Sequence, residues 1–249
     1  MTVIDVRNLR KRYGALTAVE DVSFSVQDGE IFGLVGPNGA GKTTTVECIE
    51  GMRTPDGGSV RVLGLDPHRD RAAVRLAVGI QLQESRLPDR MKVREALDLY
   101  SSFYPHPADA RELLDELGLR PSRDTVFAKL SGGQKQRLSI ALALVGNPRV
   151  AILDELTTGL DPQARRDTWE LVRQVRARGV TVLLVTHFMD EAERLCDRIA
   201  VLAGGRIAAL ATPADLVAGA HVPGIERPTL EDAVLALTSP APTSPRSAR

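Results

Sequence analysis

The sequence has little of several features that would set it apart from an ordinary globular protein. Two cysteines in 249 residues are too few for a disulfide framework, so Cys48 and Cys196 are expected to be small buried residues in a reducing compartment. The longest apolar runs, such as 140–145 and 180–185, are far shorter than the roughly 20 residues that span a bilayer. The 32 basic residues equal the 32 acidic ones, so no overall field favours nucleic acid as a partner.

The N-terminal segment also lacks the apolar stretch of a secretory signal, because charged residues are spread along it. These absences predict a cytoplasmic protein that does not itself cross a membrane. With 43% hydrophobic and 26% charged residues, the chain can bury a substantial core. Its last residues, from Ala241 onward, are rich in proline and serine without apolar periodicity and are expected to be disordered.

The order of predicted elements favours an α/β fold. Up to Gly29, frequent turns and alternation of apolar with polar residues predict antiparallel strands. From about 84 to 148 the apolar residues have helical spacing, and after that predicted strands alternate with predicted helices. Such alternation indicates a mainly parallel sheet with helices on both faces. The predicted strands are 3–6, 19–26, 31–35, 78–82, 150–153, 180–185 and 199–202, with a hairpin-like piece at 58–63; the predicted helices are 44–50, 94–100, 108–117, one after 130, 162–178 and 188–196.

A glycine-rich loop separates the strand at 31–35 from the helix that follows it. It reads Gly36-Pro37-Asn38-Gly39-Ala40-Gly41-Lys42-Thr43, followed by Thr44, and fits the G-x-x-x-x-G-K-[ST] pattern of phosphate loops. Its glycines allow backbone N–H groups to surround a phosphate chain at a helix N-terminus. Lys42 is then expected to reach the β- and γ-phosphates, and Thr43 to offer its hydroxyl group to Mg²⁺.

Two acidic residues follow the apolar strand 150–153, at the end where open α/β sheets bind ligands. We expect Asp154 to hold Mg²⁺, and Glu155 to orient and polarise the attacking water. An acidic pair at a strand end is common by itself, and it is the phosphate loop upstream that gives this pair a function. The sequence therefore predicts a phosphate-loop ATPase with ATP and Mg²⁺ as ligands.

A second glycine-containing helix start, Leu130-Ser131-Gly132-Gly133-Gln134, resembles the LSGGQ signature of ABC-type nucleotide-binding domains. Ser131 and the two glycines can open a helix with accessible N–H groups, which is an anion site of its own. The resemblance covers about residues 2–237. It implies that two chains pack head to tail, so that each signature covers the γ-phosphate held by the phosphate loop of the partner.

The resemblance implies further roles for individual residues. Tyr13 resembles the aromatic residue that stacks on adenine, and His187 the switch histidine that contacts the γ-phosphate. Gln83 resembles the glutamine that senses Mg²⁺ and water and links to the helical part, with Gln81 as a nearby competitor. Residues 159–161 resemble the loop that crosses the dimer interface. In all, the expected catalytic residues are Glu155, His187, Gln83 and Lys42, the expected metal ligands Thr43, Gln83 and Asp154, and the expected nucleotide contacts Tyr13, Gly36 to Thr44 and Ser131 to Gln134.

One position departs from the family pattern, because Leu156 stands where a proline usually follows the catalytic glutamate. Since Glu155 is intact, we expect hydrolysis to survive, with only the stiffness of the next loop affected. His68, His106 and His221 lack any such context and are expected to be ordinary surface residues.

We expect one ABC-type domain over 1–237, with an N-terminal antiparallel β subdomain, a helical subdomain at about 84–148 and a tail at 238–249. The interval between Lys42 and Leu130 has no coiled-coil heptads, which excludes the chromosome and DNA-repair class. The segments 81–88 and 228–235 look like those of ABC-2-type exporters, the class associated with drug and antibiotic resistance, although the latter also fits a plain terminal helix. This implies a subunit on the cytoplasmic face of the cell membrane, with a permease helix in a groove at 84–104. A regulatory or translation-associated ABC ATPase is the alternative.

Overall fold

A computed structural model of the chain describes residues 1–81 and 87–239. The strands are β1 (Thr2–Tyr13), β2 (Leu16–Gln27), β3 (Ile31–Val35), β4 (Gly57–Val62), β5 (Val78–Gln81), β6 (Val150–Asp154), β7 (Thr181–Thr186), β8 (Arg198–Ala203) and β9 (Arg206–Ala211). The α-helices are α1 (Lys42–Ile49), α2 (Arg71–Ala77), α3 (Val93–Ser101), α4 (Ala110–Glu116), α5 (Gly132–Leu144), α6 (Pro162–Ala177), α7 (Met189–Leu195), α8 (Pro213–Gly219) and α9 (Leu230–Thr238). Short 3₁₀ turns lie at Arg120–Ser122 and Phe127–Lys129.

The strands follow one another in the order β4-β1-β2-β9-β8-β3-β7-β6-β5. The strands β8, β3, β7, β6 and β5 are parallel, whereas β1 pairs antiparallel with both β2 and β4. The two regions meet at a single parallel pair between Asp21 and Arg206. This arrangement confirms the predicted α/β class with its antiparallel N-terminal part and its parallel sheet.

The parallel strands are buried on both faces, because side chains alternate between two cores. In β6, Ala151 and Leu153 face a core shared with α3 to α7, whereas Val150 and Ile152 face a core shared with β1, β2 and α1. Strands β3 and β7 alternate in the same way. A strand buried on both faces has near-continuous apolar sequence, which is why these strands are visible in the sequence.

The predicted elements that the structure contains differ from the observed ones mainly at their ends. The segment at 58–63, predicted as a hairpin-like piece, is the single strand β4 and pairs with β1. Three elements were not predicted: α2, β9 and α8. Helix α9 ends at Thr238, and residues 240–249 of the expected tail lie outside the described residues. Within residues 1–81 and 87–239, no helix is long and apolar enough to cross a membrane.

Strand β5 lies so close to α5 that Gly79 has no room for a side chain, since a Cβ atom there would be 2.0 Å from the carbonyl oxygen of Ala143. We expect Gly79→Ala to lower the free energy of unfolding by about 1–3 kcal/mol, measured by urea denaturation. Gly219→Ala is the matched control, because Gly219 ends α8 with no atom within 4 Å of an added Cβ. That variant should gain up to about 1 kcal/mol. Equal unfolding midpoints for the two variants would contradict this account of the packing.

Candidate active site

The phosphate loop connects β3 to α1 in a conformation that only glycine allows at its turns. Gly36 and Gly41 have φ values of 151° and 105°. A Cβ atom at Gly36 would lie 2.2 Å from the carbonyl oxygen of Leu202, and one at Gly41 would lie 2.5 Å from that of Ala18. The glycine pattern of the motif therefore has a steric cause as well as a chemical one.

The side chain of Lys42 is buried and directed back across the loop. Its Nζ donates hydrogen bonds to the carbonyl oxygens of Gly36 at 2.7 Å and Pro37 at 3.0 Å. Burial lowers the pKa of Lys42, while the nearby carboxylates of Glu155 and Asp154 act in the opposite direction. The ammonium group thus lies between the loop and the two acidic residues.

Asp154 is the last residue of β6 and is partly buried. Its backbone N–H donates to Oε1 of Gln81 at 3.1 Å, which fixes the end of β6 against the neighbouring strand β5. Burial, and then the charge of Glu155, raise the pKa of Asp154 to about 6, with Lys42 opposing them. A cation bound beside this carboxylate would relieve the repulsion.

Glu155 adopts a left-handed backbone conformation, with φ of 48°, directly after β6. Its N–H donates to the carbonyl oxygen of Val185 in β7 at 2.9 Å. Its carboxylate Oε1 lies 3.1 Å from Nδ1 of His187, which follows β7. Two neighbouring strands therefore bring the predicted water-orienting glutamate and the predicted switch histidine into direct contact.

One cavity of about 500 Å³ joins these groups with the predicted adenine-stacking residue. Tyr13 lies at its edge, with its ring half-exposed and the Nζ of Lys11 5.6 Å from the ring centroid. The residues that line the cavity are Tyr13, Leu16, Thr17, Ala18, Asn38, Gly39, Gly41, Lys42, Thr43, Thr44, Asp154, Glu155 and His187. Its size and lining suit a ligand with a flat ring at one end and phosphate groups at the other.

The signature residues form a different cavity of about 580 Å³, which they share with the loop 159–161. Ser131 caps α5: its Oγ accepts from the N–H of Gln134 at 3.2 Å, and Oε1 of Gln134 accepts from the N–H of Ser131 at 2.9 Å. Asp161 caps α6 in the same cavity by accepting from the N–H groups of Gln163 and Ala164. No residue of this cavity's lining belongs to the phosphate loop.

The remaining predictions have different outcomes. Gln83 lies outside the described residues, while the side chain of its competitor Gln81 is buried and engaged with β6. Leu156 is fully buried in the core on the helical side of the sheet. His68, His106 and His221 are absent from the lining of either cavity.

Motif reading missed Thr17 and Ala18, which line the cavity from the start of β2 but belong to no motif. It also missed Glu50, a buried carboxyl group directly after α1. Burial, followed by the charges of Asp154 and Glu47, raises the pKa of Glu50 to about 7. Glu50 belongs to no motif, and acidic residues at helix ends are common. The neighbouring sequence therefore does not indicate that Glu50 is buried or that it lies near Asp154.

The site combines a glycine-rich loop between β3 and α1 with an acidic pair at the end of β6, two strands away from β3 in the sheet. This combination defines a phosphate-loop nucleotide hydrolase. Comparison with known proteins narrows this class. Residues 19–158 match the model of the ABC transporter family. Nod factor export ATP-binding protein I of Burkholderia orbicola is 47% identical over 220 residues, which cover 86% of this chain and 72% of that protein.

Solved structures agree with this match. The ATP-binding subunit of an ABC transporter has a TM-score of 0.83 and 30% sequence identity, over 95% of this chain and 100% of that one. A dimeric ATP-binding cassette in a post-hydrolysis state with ADP and Pi has a TM-score of 0.72 and 25% identity, over 84% of this chain and 98% of that one. The chain belongs to the ABC transporter ATP-binding family, and it is an ATPase.

The buried carboxyl group of Glu50 predicts a pH dependence of stability. Its pKa is about 7 in the folded protein against 4.5 as its ordinary value. The folded state therefore binds more protons between these values, and stability is lost as the pH rises from about 4.5 to about 7. At pH 8 we expect Glu50→Gln to exceed the wild type in unfolding free energy by up to about 3 kcal/mol, with little difference at pH 4.5.

Thermal unfolding at the two pH values measures this effect. Glu47→Gln is the control, since Glu47 is on the same helix but partly exposed and paired with Arg53 at 3.0 Å. It should change the unfolding free energy by less than about 1 kcal/mol at either pH. A Glu50→Gln variant that is less stable than the wild type at pH 8 would show that the carboxylate is stabilised by contacts that outweigh its burial.

Proposed function

We propose that the cavity between Tyr13 and His187 binds Mg-ATP and is the place where this ATPase hydrolyses it. The observation that supports the proposal is that one cavity contains the phosphate loop, Asp154, Glu155 and His187. The ring of Tyr13 stacks on adenine, and the loop N–H groups with Lys42 bind the β- and γ-phosphates. Thr44, in the first turn of α1, provides a further contact with the nucleotide.

The oxygen donors near the loop fit a magnesium ion. The Thr43 hydroxyl and the Asp154 carboxylate are hard oxygen ligands, and Mg²⁺ in nucleotide sites is held by few protein groups besides the phosphates. When bound, the ion neutralises charge that develops on the phosphate oxygens. Gln83 is proposed as a further ligand and as the sensor of the γ-phosphate.

Glu155 is proposed to orient and polarise the attacking water. Its carboxylate is mostly buried and touches His187, which restricts its rotamers. His187 faces the γ-phosphate and holds the glutamate in the orientation that points one oxygen at the water. Positioning of this kind supplies much of the rate enhancement in phosphoryl transfer.

We also propose that two identical chains pack head to tail with two ATP molecules between them. Residues 131–134 and 159–161 line a cavity that lacks any residue of the chain's own phosphate loop. The capped N-terminus of α5 therefore presents N–H groups to a ligand held elsewhere. A partner chain supplies that ligand, which completes each nucleotide site.

Removal of the Glu155 charge should separate binding from hydrolysis. Glu155→Gln keeps the size of the side chain but cannot polarise water, so we expect kcat to fall at least about a hundredfold while ATP affinity stays within a few-fold. With Mg-ATP, this variant should elute as a dimer in size-exclusion chromatography with light scattering.

Lys42→Ala is the matched control for that experiment, because it removes a phosphate-binding group and should abolish both ATP binding and the dimer. If Glu155→Gln binds Mg-ATP but stays monomeric, then the homodimer is wrong. If it hydrolyses ATP at the wild-type rate, then the role of Glu155 is wrong.

We propose that a membrane permease contacts the helical part through an exposed apolar surface on and after α3. Leu99 and Phe103 are large, exposed and four residues apart, and the ring of Tyr100 packs edge-on against Phe103 at 6.0 Å. This surface suits one apolar helix face of the permease, in the groove proposed at 84–104, of which residues 84–86 lie outside the described part of the chain. Docking there would place the chain on the cytoplasmic face of the membrane.

Export is the direction that the relatives support. The curated relative named above carries the word export in its name, and its named cargo, Nod factor, is a property of that protein. We propose that this chain powers an ABC-2-type exporter of a drug, antibiotic or lipid-like substrate. The alternative is an ABC ATPase with a regulatory or translation-associated role.

Substitutions on the α3 surface should uncouple transport from hydrolysis. We expect Leu99→Ser and Phe103→Ser together to lower ATP-driven efflux in cells with the permease by at least about tenfold, because about 2–4 kcal/mol of apolar docking is lost. The basal ATPase of the isolated subunit should be unchanged. Ile225→Ser, at an exposed apolar residue elsewhere, is the control. Normal efflux by the double variant, or a wild type that co-purifies with no membrane protein, would favour the alternative.

A further inference from the structure

The imidazole ring of His187 needs a support that its hydrogen bond to Glu155 does not give. The side chain of His187 is 36% exposed, so the surrounding protein does not enclose it. Its contact with Glu155 involves one ring nitrogen, with 3.1 Å between Nδ1 and Oε1. A hydrogen bond to one nitrogen leaves the ring plane free to turn about that bond, and a second contact is required to fix the plane.

The ring of Phe188 makes such a contact with the imidazole. The two ring centroids are 4.1 Å apart, and the ring planes are inclined by 37°. Consecutive side chains of a strand point to opposite faces, so two neighbouring residues can touch in this way only where the chain leaves the strand. Strand β7 ends at Thr186 and α7 begins at Met189, which places both rings in the tight connection between them.

The backbone of Phe188 is itself anchored to the sheet. Its N–H donates a hydrogen bond to Oγ1 of Thr186 at 3.0 Å, and Thr186 is fully buried at the end of β7. This is the local turn that threonine favours, in which its hydroxyl oxygen accepts from the N–H two residues later. The position of the Phe188 ring therefore follows from the end of the strand and not from the imidazole that it contacts.

The ring of Phe188 is also held by a cation from another helix. The guanidinium of Arg165, near the start of α6, lies 4.7 Å from the ring centroid. Its Nη1 donates to Oδ2 of Asp190 in α7 at 3.2 Å. Its Nε is buried and has no hydrogen-bond partner among residues 1–81 and 87–239. Asp190 and the face of Phe188 thus hold the guanidinium, because the negative face of an aromatic ring attracts a cation.

We propose that Phe188 is a positioning residue for ATP hydrolysis, whose ring, supported by Arg165, fixes the plane of the His187 imidazole so that Nδ1 meets Glu155. The proposal rests on the roles proposed above for His187 and Glu155. Neither Phe188 nor Arg165 belongs to the lining of the nucleotide cavity. Loss of the Phe188 ring is therefore expected to lower the rate of hydrolysis and not the affinity for ATP.

The test compares Phe188→Leu with Phe188→Tyr in steady-state ATPase assays and in equilibrium binding of ATP. Leucine keeps an apolar side chain but has no flat ring, so we expect kcat to fall about tenfold with ATP affinity within about threefold of the wild type. Tyrosine keeps the ring, and because Phe188 is only partly buried, the added hydroxyl need not lose its contact with water. This variant should retain kcat within about twofold of the wild type.

Phe127→Leu is the matched control. Phe127 is also a partly buried aromatic residue with a cation near its face, since the Nζ of Lys135 lies 5.0 Å from its ring centroid. It lies in the second 3₁₀ turn and lines neither of the two cavities described above. The same substitution there removes a ring of the same kind, and kcat should stay within about twofold of the wild type.

A double-mutant cycle tests whether Arg165 acts through Phe188. Arg165→Gln alone should lower kcat about three- to fivefold, because the ring loses one of its supports. Added to Phe188→Leu, it should lower kcat by less than about twofold further, since the ring that it supports is already absent. Losses that multiply in the double variant would show that the two residues act separately, which contradicts the support by Arg165.

The proposal is overturned if kcat of Phe188→Leu stays within about twofold of that of Phe127→Leu, or if Phe188→Tyr loses as much as Phe188→Leu. If Phe188→Leu does not fold, wild-type kcat in Arg165→Gln overturns it instead. Glu155→Gln, measured alongside, separates this inference from the function on which it rests. If Glu155→Gln remains active, the proposed role of Glu155 fails. If it is inactive while Phe188→Leu is fully active, only the positioning role of Phe188 fails.

Discussion

The hydrogen-bonded register of three adjacent parallel strands determines where the phosphate loop, the acidic pair and His187 lie. Strand β7 pairs with β3 on one side and with β6 on the other. The phosphate loop follows β3, His187 follows β7, and Asp154 ends β6, so all three segments leave the same edge of the sheet. A slip of one residue in any strand would exchange its two faces, which are both buried and would no longer fit their cores. The two apolar cores therefore fix the chemistry by fixing the register.

The charged groups at this edge are costly to bury, which has a functional consequence. Burial raises the pKa of Asp154 and Glu50, and it lowers the pKa of Lys42. Each group would gain from a ligand that brings the missing charge: a cation beside the carboxyl groups, phosphate oxygens beside the ammonium group. The same burial that destabilises the folded chain thus strengthens its interaction with a metal-bound nucleotide.

Sequence reasoning succeeded where the information was local. The phosphate loop, the acidic pair and the capped signature helix are each defined within about ten residues, because a tight turn or helix N-terminus needs particular residues at fixed offsets. It failed for α2, α8 and β9, which have seven, seven and six residues and too few periods to reveal a face. It also failed for Glu50, because only the packing of distant segments shows that its carboxyl group is buried.

The position of Leu156 shows how a departure from a family pattern can be read physically. A proline after the catalytic glutamate would restrict the backbone of the next loop through its ring. Leu156 instead buries its whole side chain in the core on the helical side of the sheet. Burial of a leucine contributes about 1.5–3 kcal/mol, which anchors the segment by packing rather than by a ring. Together with the buried Thr157 beside it, this anchor offers a second way to hold Glu155 in its strained conformation, so the loop need not be looser for lacking the proline.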